Sequence, residues 1–447
     1  MAIAALMGVG TAVKGEEVPS LDLNFNGQAS SYTRATTSPT APKANGDQLA
    51  TDIVSCTRST TATFMGSNGL IQTAAVNTPR VEYDASGNPL GLLVEEARTN
   101  YIGDSNDFSV SAWTKQTSFN IAADTSVSDP TGGSGAWKLS EGNSGTQQFT
   151  MGYAAYTPSA NETTVLSVFA RPISGANNEL ILTQWGEGYV SFDLSNGTVA
   201  YETGDETGEI VPAGNGWYRC ILTTVETNST ASSYYILPGA GTFTSGSHIF
   251  THGGDDVCHI FGAQVEVGKG ATSYIPTSGG TTATRAADDI SVSTSDFGYD
   301  VANSSTAIKA SLASEPNSSF PRLYEYRGSS ASYRTYGRVN NTNGSLQVSY
   351  EDAGPGVLKA SNVATGLTYP IDATLVAANG GSDASFALNG DLTTPADLVS
   401  SMSTALTTLK LGGQVGVTTN TINGHIRRLR YWPRAINDAQ LSKFTNQ

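Results

Sequence analysis

Short apolar runs bounded by glycine, asparagine, serine or threonine recur at close intervals between residues 101 and 277. Alternation with a period of two, interrupted by turn residues, is typical of β-strands. Only 14% of the chain is charged, and small polar residues dominate the rest of the polar part. We therefore predict an all-β fold whose antiparallel sheets pack face to face. The runs are TVLSVFARPI, ELILTQW, GYVSFDLSNGTVAYE, WYRCILTTVE, SYYILP and VCHIFGAQVEVG.

Length and charge restrict the possible functions further. The 447 residues exceed what one hydrophobic core usually serves. A net charge of -15 repels polyanions, so nucleic acid and anionic membranes are not expected as partners. The apolar N-terminus, MAIAALMGVGTAVKGEE, is too short to span a bilayer. We expect it to dock on another protein or on sister subunits. The chain has an odd number of cysteines, and they are widely spaced, at Cys56, Cys220 and Cys258. This pattern predicts structural thiols in a reducing cytoplasm.

Residues 78–113 contain three consecutive motifs, a Pro-Arg-x-x-Tyr-Asp run, a Gly-Leu-Leu-x-Glu-x-x-Arg-Thr-Asn run and an Asp-Phe pair followed by a tryptophan. This block resembles a signature of bacteriophage tail and virion proteins, where it precedes a jelly-roll module. The residues that carry the resemblance are Pro79, Arg80, Tyr83, Asp84, Gly91, Leu92, Leu93, Glu95, Arg98, Thr99, Asn100, Asp107, Phe108 and Trp113.

Two further stretches resemble domains of the same class of proteins. The run from Gly262 to Thr277 resembles the end of a carbohydrate-binding-module-like jelly roll. The ending FALNGD...LKLGG...INGHIRRLRYWPRAINDAQL resembles a concanavalin-A-like or laminin-G-like jelly roll with a short final helix. Asn437 or Asp438 could cap that helix.

The resemblance implies two tandem antiparallel jelly-roll sandwiches preceded by an irregular N-terminal collar and anchor. We expect a virion-docking and collar region over residues 1–100 and a carbohydrate-binding-module-like jelly roll over 101–277. A linker over 278–299 and a concanavalin-A-like jelly roll over 300–447 complete the expected order.

The function implied by the resemblance is attachment. We expect a non-enzymatic tail fibre or spike of a virion, assembled in the host cytoplasm and docked on other virion proteins through residues 1–100. The resemblance also implies a homotrimer that presents its jelly rolls to a host surface glycan, and Glu95, Glu96 and Arg98 are candidates for holding the trimer together. A purely structural head-fibre, decoration or connector protein and a polysaccharide depolymerase remain as alternatives.

A glycan site requires an exposed aromatic ring with hydrogen-bonding groups nearby. Trp185 meets this requirement at a predicted turn, where Gln184, Glu187 and Tyr189 could accompany it. Tyr333 and Tyr336 form a second candidate. For both groups the alternative is ordinary packing of the rings against a sandwich. Trp113, Trp137 and Trp217 are predicted to lie in the core.

Other chemistry-bearing residues have structural explanations as well as functional ones. The acids Glu202, Asp205, Glu206 and Glu209 could form a glycosidase pair, but their flanking glycines favour a solvated acidic hairpin. A basic run around Trp432 could receive an anionic glycan or an acidic neighbour, although strand alternation favours structural ion pairs. Its arginines are Arg427, Arg428, Arg430 and Arg434.

No cofactor is expected, although two metals deserve consideration. Zinc-type ligands cluster within a dozen residues, but Cys258 and His259 are neighbours on a predicted strand and must point to opposite faces. Calcium is possible at the loop carboxylates Asp104, Asp107 and Asp129. The complete zinc-type set is His248, His252, Asp255, Asp256, Cys258 and His259.

Overall fold

The structure, a computed structural model, is nearly all β in the residues that it describes, with several antiparallel sheets. Every strand pairing among the described residues is antiparallel, which confirms the predicted fold class. The structure describes residues 19–26, 50–116, 119–141, 145–148, 151–184, 186–227, 232–239, 249–252, 255–328, 333–352, 356–380, 383–392, 396–397 and 406–445.

The N-terminal hundred residues contribute short strands and one helical turn. These are β1 (Leu21–Asn24), α1 (Ala50–Ile53), β2 (Ser55–Thr57), β3 (Ala62–Met65), β4 (Ile71–Ala74), β5 (Arg80–Tyr83), β6 (Pro89–Val94) and β7 (Arg98–Asn100).

The next region forms the first sandwich. Its strands are β8 (Trp113–Lys115), β9 (Phe119–Ala123), β10 (Trp137–Glu141), β11 (Gly145–Gln148), β12 (Met151–Tyr156), β13 (Thr163–Pro172), β14 (Glu179–Gln184), β15 (Tyr189–Asp193), β16 (Thr198–Glu202), β17 (Thr207–Pro212), β18 (Tyr218–Val225), β19 (Ser232–Gly239), β20 (Ile249–His252) and β21 (Asp256–Val267).

The remaining elements are β22 (Ala283–Arg285), β23 (Asp289–Ser293), a 3-10 turn (Thr294–Asp296), β24 (Ser304–Leu312), β25 (Arg322–Arg327), β26 (Arg334–Asn340), β27 (Ser345–Asp352), β28 (Gly356–Ala364), β29 (Ile371–Asn379), β30 (Asp383–Leu388), β31 (Asp391–Leu392), β32 (Ala396–Asp397), β33 (Thr408–Leu411), β34 (Gly424–Trp432) and α2 (Asp438–Thr445). Asn437 caps α2 as predicted, because its Oδ1 accepts a bond from Gln440 N at 3.0 Å.

Two six-stranded sheets build the first sandwich, in the orders β17-β18-β13-β21-β10-β9 and β16-β15-β14-β19-β12-β8. Alternate side chains of both sheets meet in one core, which includes Trp113, Leu182, Phe192 and Cys220. Trp113 and Trp217 are 1% exposed, in agreement with their predicted core positions, and Trp137 packs half-buried against the same sandwich. All three cysteines are free thiols.

The second sandwich recruits strands from both ends of the chain. Its nine-stranded sheet follows the order β31-β30-β29-β24-β34-β6-β5, with β1 also paired to β34 and β32 to β30. Its seven-stranded sheet follows the order β2-β23-β33-β25-β26-β27-β28. The expected collar and linker therefore contain strands of this sandwich. Their apolar positions, such as Leu21, Leu92 and Ile290, are fully buried in its core.

The first sandwich lies between two strands that pair with each other. β7 precedes it and β22 follows it, and Arg98 to Asn100 pair with Ala283 to Arg285. The hydroxyls of Thr99 and Thr284 are 2.8 Å apart across this two-stranded stem. Both ends of the first sandwich thus leave the second sandwich at the same place.

A buried ionic network includes two residues of the signature block, Arg80 and Glu95. Arg80 donates to Glu95 at 2.8 Å and to Asp288 at 2.5 Å, and Asp288 also accepts from Arg58 at 2.8 Å. Arg285 lies 3.5 Å from Glu95. Burial acts to raise the pKa of Glu95, but Arg285, Arg80 and bonds from Ser273 hold it well below its usual value. We call Arg58, Arg80, Glu95, Arg285 and Asp288 the ionic hub.

Glu96 and Arg98 form a neighbouring buried pair, with 2.6 Å between Glu96 Oε1 and Arg98 Nη2. Glu96 also accepts bonds from Asn423 Nδ2 and from the backbone of Asn317. The expectation that Glu95, Glu96 and Arg98 contact other subunits is wrong, because all three are at most 6% exposed within this one chain. The carboxylates of Glu95 and Glu96 and the Nη2 of Arg98 have partners inside this chain.

Candidate functional site

One outer sheet face of the first sandwich carries a patch of aromatic rings. On β14 and β15, Leu180, Leu182, Val190 and Phe192 point into the core. Because side chains alternate along a strand, the residues between them point outward. Ile181, Tyr189 and Leu237 form a separate cluster there, with Tyr235 packed against it.

Tyr201 is the exposed member of this patch. It lies on the edge strand β16 directly opposite Ser191 and exposes 59% of its surface. Its ring centroid is 6.0 Å from that of Tyr189, and the two rings are inclined by 36°. We call Tyr189, Tyr201, Tyr235, Ile181 and Leu237 the tyrosine face.

Polar groups accompany the tyrosine face. Ser191 donates from Oγ to Glu179 Oε1 at 2.5 Å, and Glu179 pairs with Asp193 across β14 and β15. Burial, followed by the neighbouring Tyr201 and Glu179, raises the pKa of Tyr189 to about 12. The Tyr189 hydroxyl therefore keeps its proton at neutral pH. The face combines an exposed ring with carboxylate and hydroxyl groups.

The structure divides the glycan candidates of the first sandwich between two surfaces. Gln184 and Tyr189 flank the predicted turn between β14 and β15. Tyr189 belongs to the outer face at 5% exposure, whereas Gln184 is fully buried on the inner face, where it accepts a bond from Thr164 Oγ1 at 3.0 Å. Gln184 therefore cannot touch a ligand on the tyrosine face. Trp185 lies outside the described residues.

Glu187 belongs to a group of carboxylates at the end of the sandwich. Its Oε1 accepts bonds from the backbone and the hydroxyl of Thr227. Glu206 accepts a bond from Gly188 N at 2.8 Å, and Glu226 is 1% exposed with an Oε1 atom that has no hydrogen-bond partner among the described residues. Burial, then repulsion from Glu187, Glu162 and Glu206, raises the pKa of Glu226 to about 7.

This group corrects the expectation of a solvated acidic hairpin. Glu202, Asp205 and Glu209 are exposed, but Glu206 is 6% exposed. The flanking strands do not form a hairpin, because β16 pairs with β15 in one sheet while β17 pairs with β18 in the other. The turn crosses between sheets and carries Glu206 inward. Burial raises the pKa of Glu206 above its usual value.

The two glycan candidates in the second sandwich are buried or half-buried. Tyr336 is 2% exposed and donates to Glu351 Oε1 at 2.6 Å, and the guanidinium of Arg322 lies 3.9 Å from its ring centre. Tyr336 therefore cannot stack on a sugar, contrary to the expectation. Tyr333 is half-buried and packs against the core of the sandwich.

The basic run in β34 has a structural role, as strand alternation favoured. Arg428 forms two bonds with Asp22 of β1, at 2.8 and 2.6 Å. Trp432 is 1% exposed, and Arg430 is 4.9 Å from the ring centre of Phe444. A bulge opposite Lys309 and Ala310 leaves Arg427 unpaired in the register. Ile426 and Leu429 therefore both reach the core, which simple alternation did not predict.

The zinc-type residues are dispersed. Cys258 is fully buried in the first core, whereas His259 Nε2 lies 3.0 Å from Asp124 on the opposite face, as their adjacency predicted. Asp256 pairs with Lys138 and Ser140, and Asp255 is exposed. His248 and the side chain of His252 lie outside the described residues.

The candidate calcium ligands accept hydrogen bonds from other residues of the chain. Asp129 accepts bonds from Thr131, Gly133 and Gly135. These bonds outweigh burial and lower its pKa. Asp107 accepts bonds from Ser109, and Asp104 accepts from Gly280. Within the described part of the chain, no three His, Cys, Asp or Glu side chains are grouped so that they could hold a metal ion.

A cavity of about 540 Å³ lies where the two sandwiches and the N-terminal strands meet. Its wall is mostly apolar, with contributions from Phe64, Leu90 and Val211. Polar pairs also line it, among them His425 and Glu82, with 2.8 Å between His425 Nε2 and Glu82 Oε2. Sequence reasoning did not identify this cavity, because its residues come from distant parts of the chain.

Tyr201, Tyr235 and Glu179 were also missed as members of a site. The usable signal was the two-residue alternation outward from Tyr189, together with the tyrosines in the strands TVAYE and SYYILP. The sequence alone does not give the strand order that places them side by side. In the described ranges, no helix has the length and apolar character needed to cross a bilayer.

No family model matches the chain, and no curated protein matches it. Among solved structures, the CBM40 of Ruminococcus gnavus IT-sialidase is similar at 14% identity and a TM-score of 0.29, over 33% of this chain and 84% of that one. A leech intramolecular trans-sialidase (14%, TM-score 0.29) covers 34% of this chain and 24% of its own. The NanB sialidase of Streptococcus pneumoniae is similar at 17% identity and a TM-score of 0.29, over 34% of this chain and 26% of that one. At these identities and TM-scores the similarities carry no argument about what this chain binds.

Proposed function

We propose that the chain is a non-enzymatic attachment protein of a bacteriophage virion, and that the tyrosine face of its first sandwich binds a host surface glycan. The single observation that supports glycan binding is the 59% exposure of Tyr201 beside Tyr189 on a sheet face. The virion location rests on the resemblance of the signature block in residues 78–113.

The chemistry of the face suits a saccharide. A pyranose has an apolar face that packs on an aromatic ring and equatorial hydroxyls that need hydrogen-bond partners at its edge. Tyr201 offers the ring, while Glu179 on β14 offers a carboxylate acceptor two strands away. Because the strands hold these groups rigidly, binding requires little ordering of the protein.

Tyr201→Ala tests the proposal. We expect the intact protein to bind a subset of an oligosaccharide array, and the alanine variant to bind the same glycans about ten-fold more weakly, because the stacking ring is lost. Tyr201→Phe should retain most of the affinity, since the ring remains. Titration followed by NMR or calorimetry would supply the dissociation constants.

Leu392→Ala is the matched control, because Leu392 is 47% exposed on the second sandwich. Its binding should equal that of the unchanged protein. An array on which no glycan binds, or a Tyr201→Ala variant with unchanged affinity, would contradict glycan binding at this face. Virion location is a separate question, which electron microscopy of particles labelled with an antibody to this chain would answer.

A further inference from the structure

The outer face of the seven-stranded sheet concentrates positive charge in an acidic chain. Four arginines point away from the core, namely Arg322 and Arg327 of β25 and Arg334 and Arg338 of β26. Their neighbours along the strands, such as Tyr326, Thr335 and Val339, are buried and point into the sandwich. Only Glu325 and Glu351 are seen to form ion pairs with these arginines in the described residues. Four cations face two carboxylates.

The strand register places these arginines opposite one another. Arg322 pairs directly with Arg338, and Arg327 pairs directly with Arg334. Like charges in directly opposed positions destabilise a sheet. Burial lowers the pKa of Arg322, and the neighbouring Arg334 and Arg338 act in the same direction against the attraction of Glu325. A bound anion would relieve this repulsion.

Arg338 retains donors for such an anion, whereas Arg322 is buried and contributes only its positive charge. Arg322 is 3% exposed, and its Nε has no hydrogen-bond partner among the described residues. Arg338 is half-buried and donates from Nε to Gln347 Oε1 at 2.9 Å. No ion pair of Arg338 is formed with a described residue. Its terminal nitrogens can therefore form the two-pronged contact that guanidinium makes with carboxylates.

An exposed aromatic ring lies beside Arg338. Phe320 exposes 37% of its surface, and the Arg338 guanidinium is 4.6 Å from its ring centre. Tyr336 also contacts the arginines, since the guanidinium groups of Arg338 and Arg334 lie 5.3 Å and 5.4 Å from its ring centre. Stacking holds the guanidinium planes in place, so their edges remain available for a ligand.

From this arrangement we propose a second binding site for an acidic saccharide, formed by Arg338 and Phe320, with the buried Arg322 adding positive charge beside it. The carboxylate of the sugar pairs with the guanidinium of Arg338, and its ring packs on Phe320. The site lies on the other sandwich from the tyrosine face and does not depend on it.

Trigalacturonate serves as the probe, compared with its fully methyl-esterified form and with inorganic phosphate. Isothermal calorimetry on the full chain should show binding of trigalacturonate that weakens as salt is raised, and no binding of the ester. Arg338→Gln should weaken binding by about ten-fold or more, because a charge-assisted pair is lost. The affinity of Arg338→Lys should lie between those of the other two proteins, since lysine keeps the charge but cannot form the two-pronged contact.

Lys138→Gln is the control, because it removes one positive charge from an exposed ion pair on the first sandwich. It should leave binding unchanged. Phe320→Ala should weaken the binding of trigalacturonate but not the binding of phosphate. This difference distinguishes a sugar site from a simple anion site. The proposal fails if trigalacturonate does not bind, if Arg338→Gln with an unchanged melting temperature binds normally, or if Phe320→Ala has no effect. Tyr201→Ala should bind the probe normally, so this test is independent of the tyrosine face.

Discussion

The carboxyl group of Glu226 lies at the end of the first sandwich among other acids, with 1% of the residue exposed. Its pKa is raised from 4.5 to about 7, first by burial and then by Glu187, Glu162 and Glu206. A carboxyl whose pKa is raised by folding binds its proton more tightly in the folded state. Ionisation of Glu226 therefore destabilises the folded state. This destabilisation is absent below pH 4.5, grows between pH 4.5 and about 7, and is complete above that range.

Glu226→Gln should remove this cost. We expect the variant and the unchanged protein to be equally stable at pH 4.5, and the variant to be more stable at pH 8 by up to about 2 kcal/mol. Urea denaturation at several pH values would measure the difference. Glu209→Gln, at an exposed carboxylate, should show no such trend. A constant difference at all pH values would show that Glu226 does not titrate in this range.

Some side-chain environments could be predicted from local pattern alone. The opposite faces of Cys258 and His259 and the cap at Asn437 follow from strand and helix geometry. The burial of Glu206 and Gln184 could not, because it depends on which sheet each neighbouring strand joins. Composition predicts that acids are solvated on average, and only the tertiary structure identifies the exceptions.

At the scale of elements, the ionic hub shows what the signature block does physically. Arg80 lies in β5 and Arg285 in β22, while the other three residues come from the segments next to β2, β6 and β23. The signature predicted a family from sequence, but it did not predict that its arginines and acids meet inside one chain. Partners more than 200 positions apart, such as Arg58 and Asp288, are not visible in local spacing.

Asp288→Asn should be strongly destabilising. Asp288 is 2% exposed and accepts bonds from Arg58, Arg80 and the backbone of Glu95. Loss of its charge leaves buried arginines with too little compensation, which typically costs about 3 to 5 kcal/mol. The free energy of unfolding in urea is the appropriate measurement.

Asp391→Asn provides the comparison, because Asp391 is an exposed carboxylate on the short strand β31. Its effect should stay within about 0.5 kcal/mol. If the two variants lose the same amount of stability, the hub does not hold the strands together in the way its geometry indicates.

At the scale of the whole molecule, the all-β class and the sandwich between residues 101 and 277 could be predicted, because both depend on alternation and turn residues. The makeup of the second sandwich could not. Strands β1, β2, β5 and β6 lie in the expected collar but supply buried residues to its core. Sheet partners distant in sequence leave no periodic signal, so the N-terminal strands resembled an irregular region.

A fragment of residues 286–447 should therefore fail to fold on its own. It lacks four strands of the second sandwich, including both partners of β34 on the N-terminal side, β1 and β6. Co-expression with residues 1–100 should restore a folded complex, as judged by dispersed amide signals in an NMR spectrum and by co-purification. A fragment that folds alone would show that the N-terminal strands are accessory.

The stem of β7 and β22 has a consequence for how proteins of this architecture can change. Since both ends of the first sandwich pass through one short pair of strands, that module is an insertion in the host domain. Insertions whose ends lie close together can be exchanged with little disturbance of the surrounding fold. Recombination at the stem could therefore replace the first sandwich and keep the second sandwich intact.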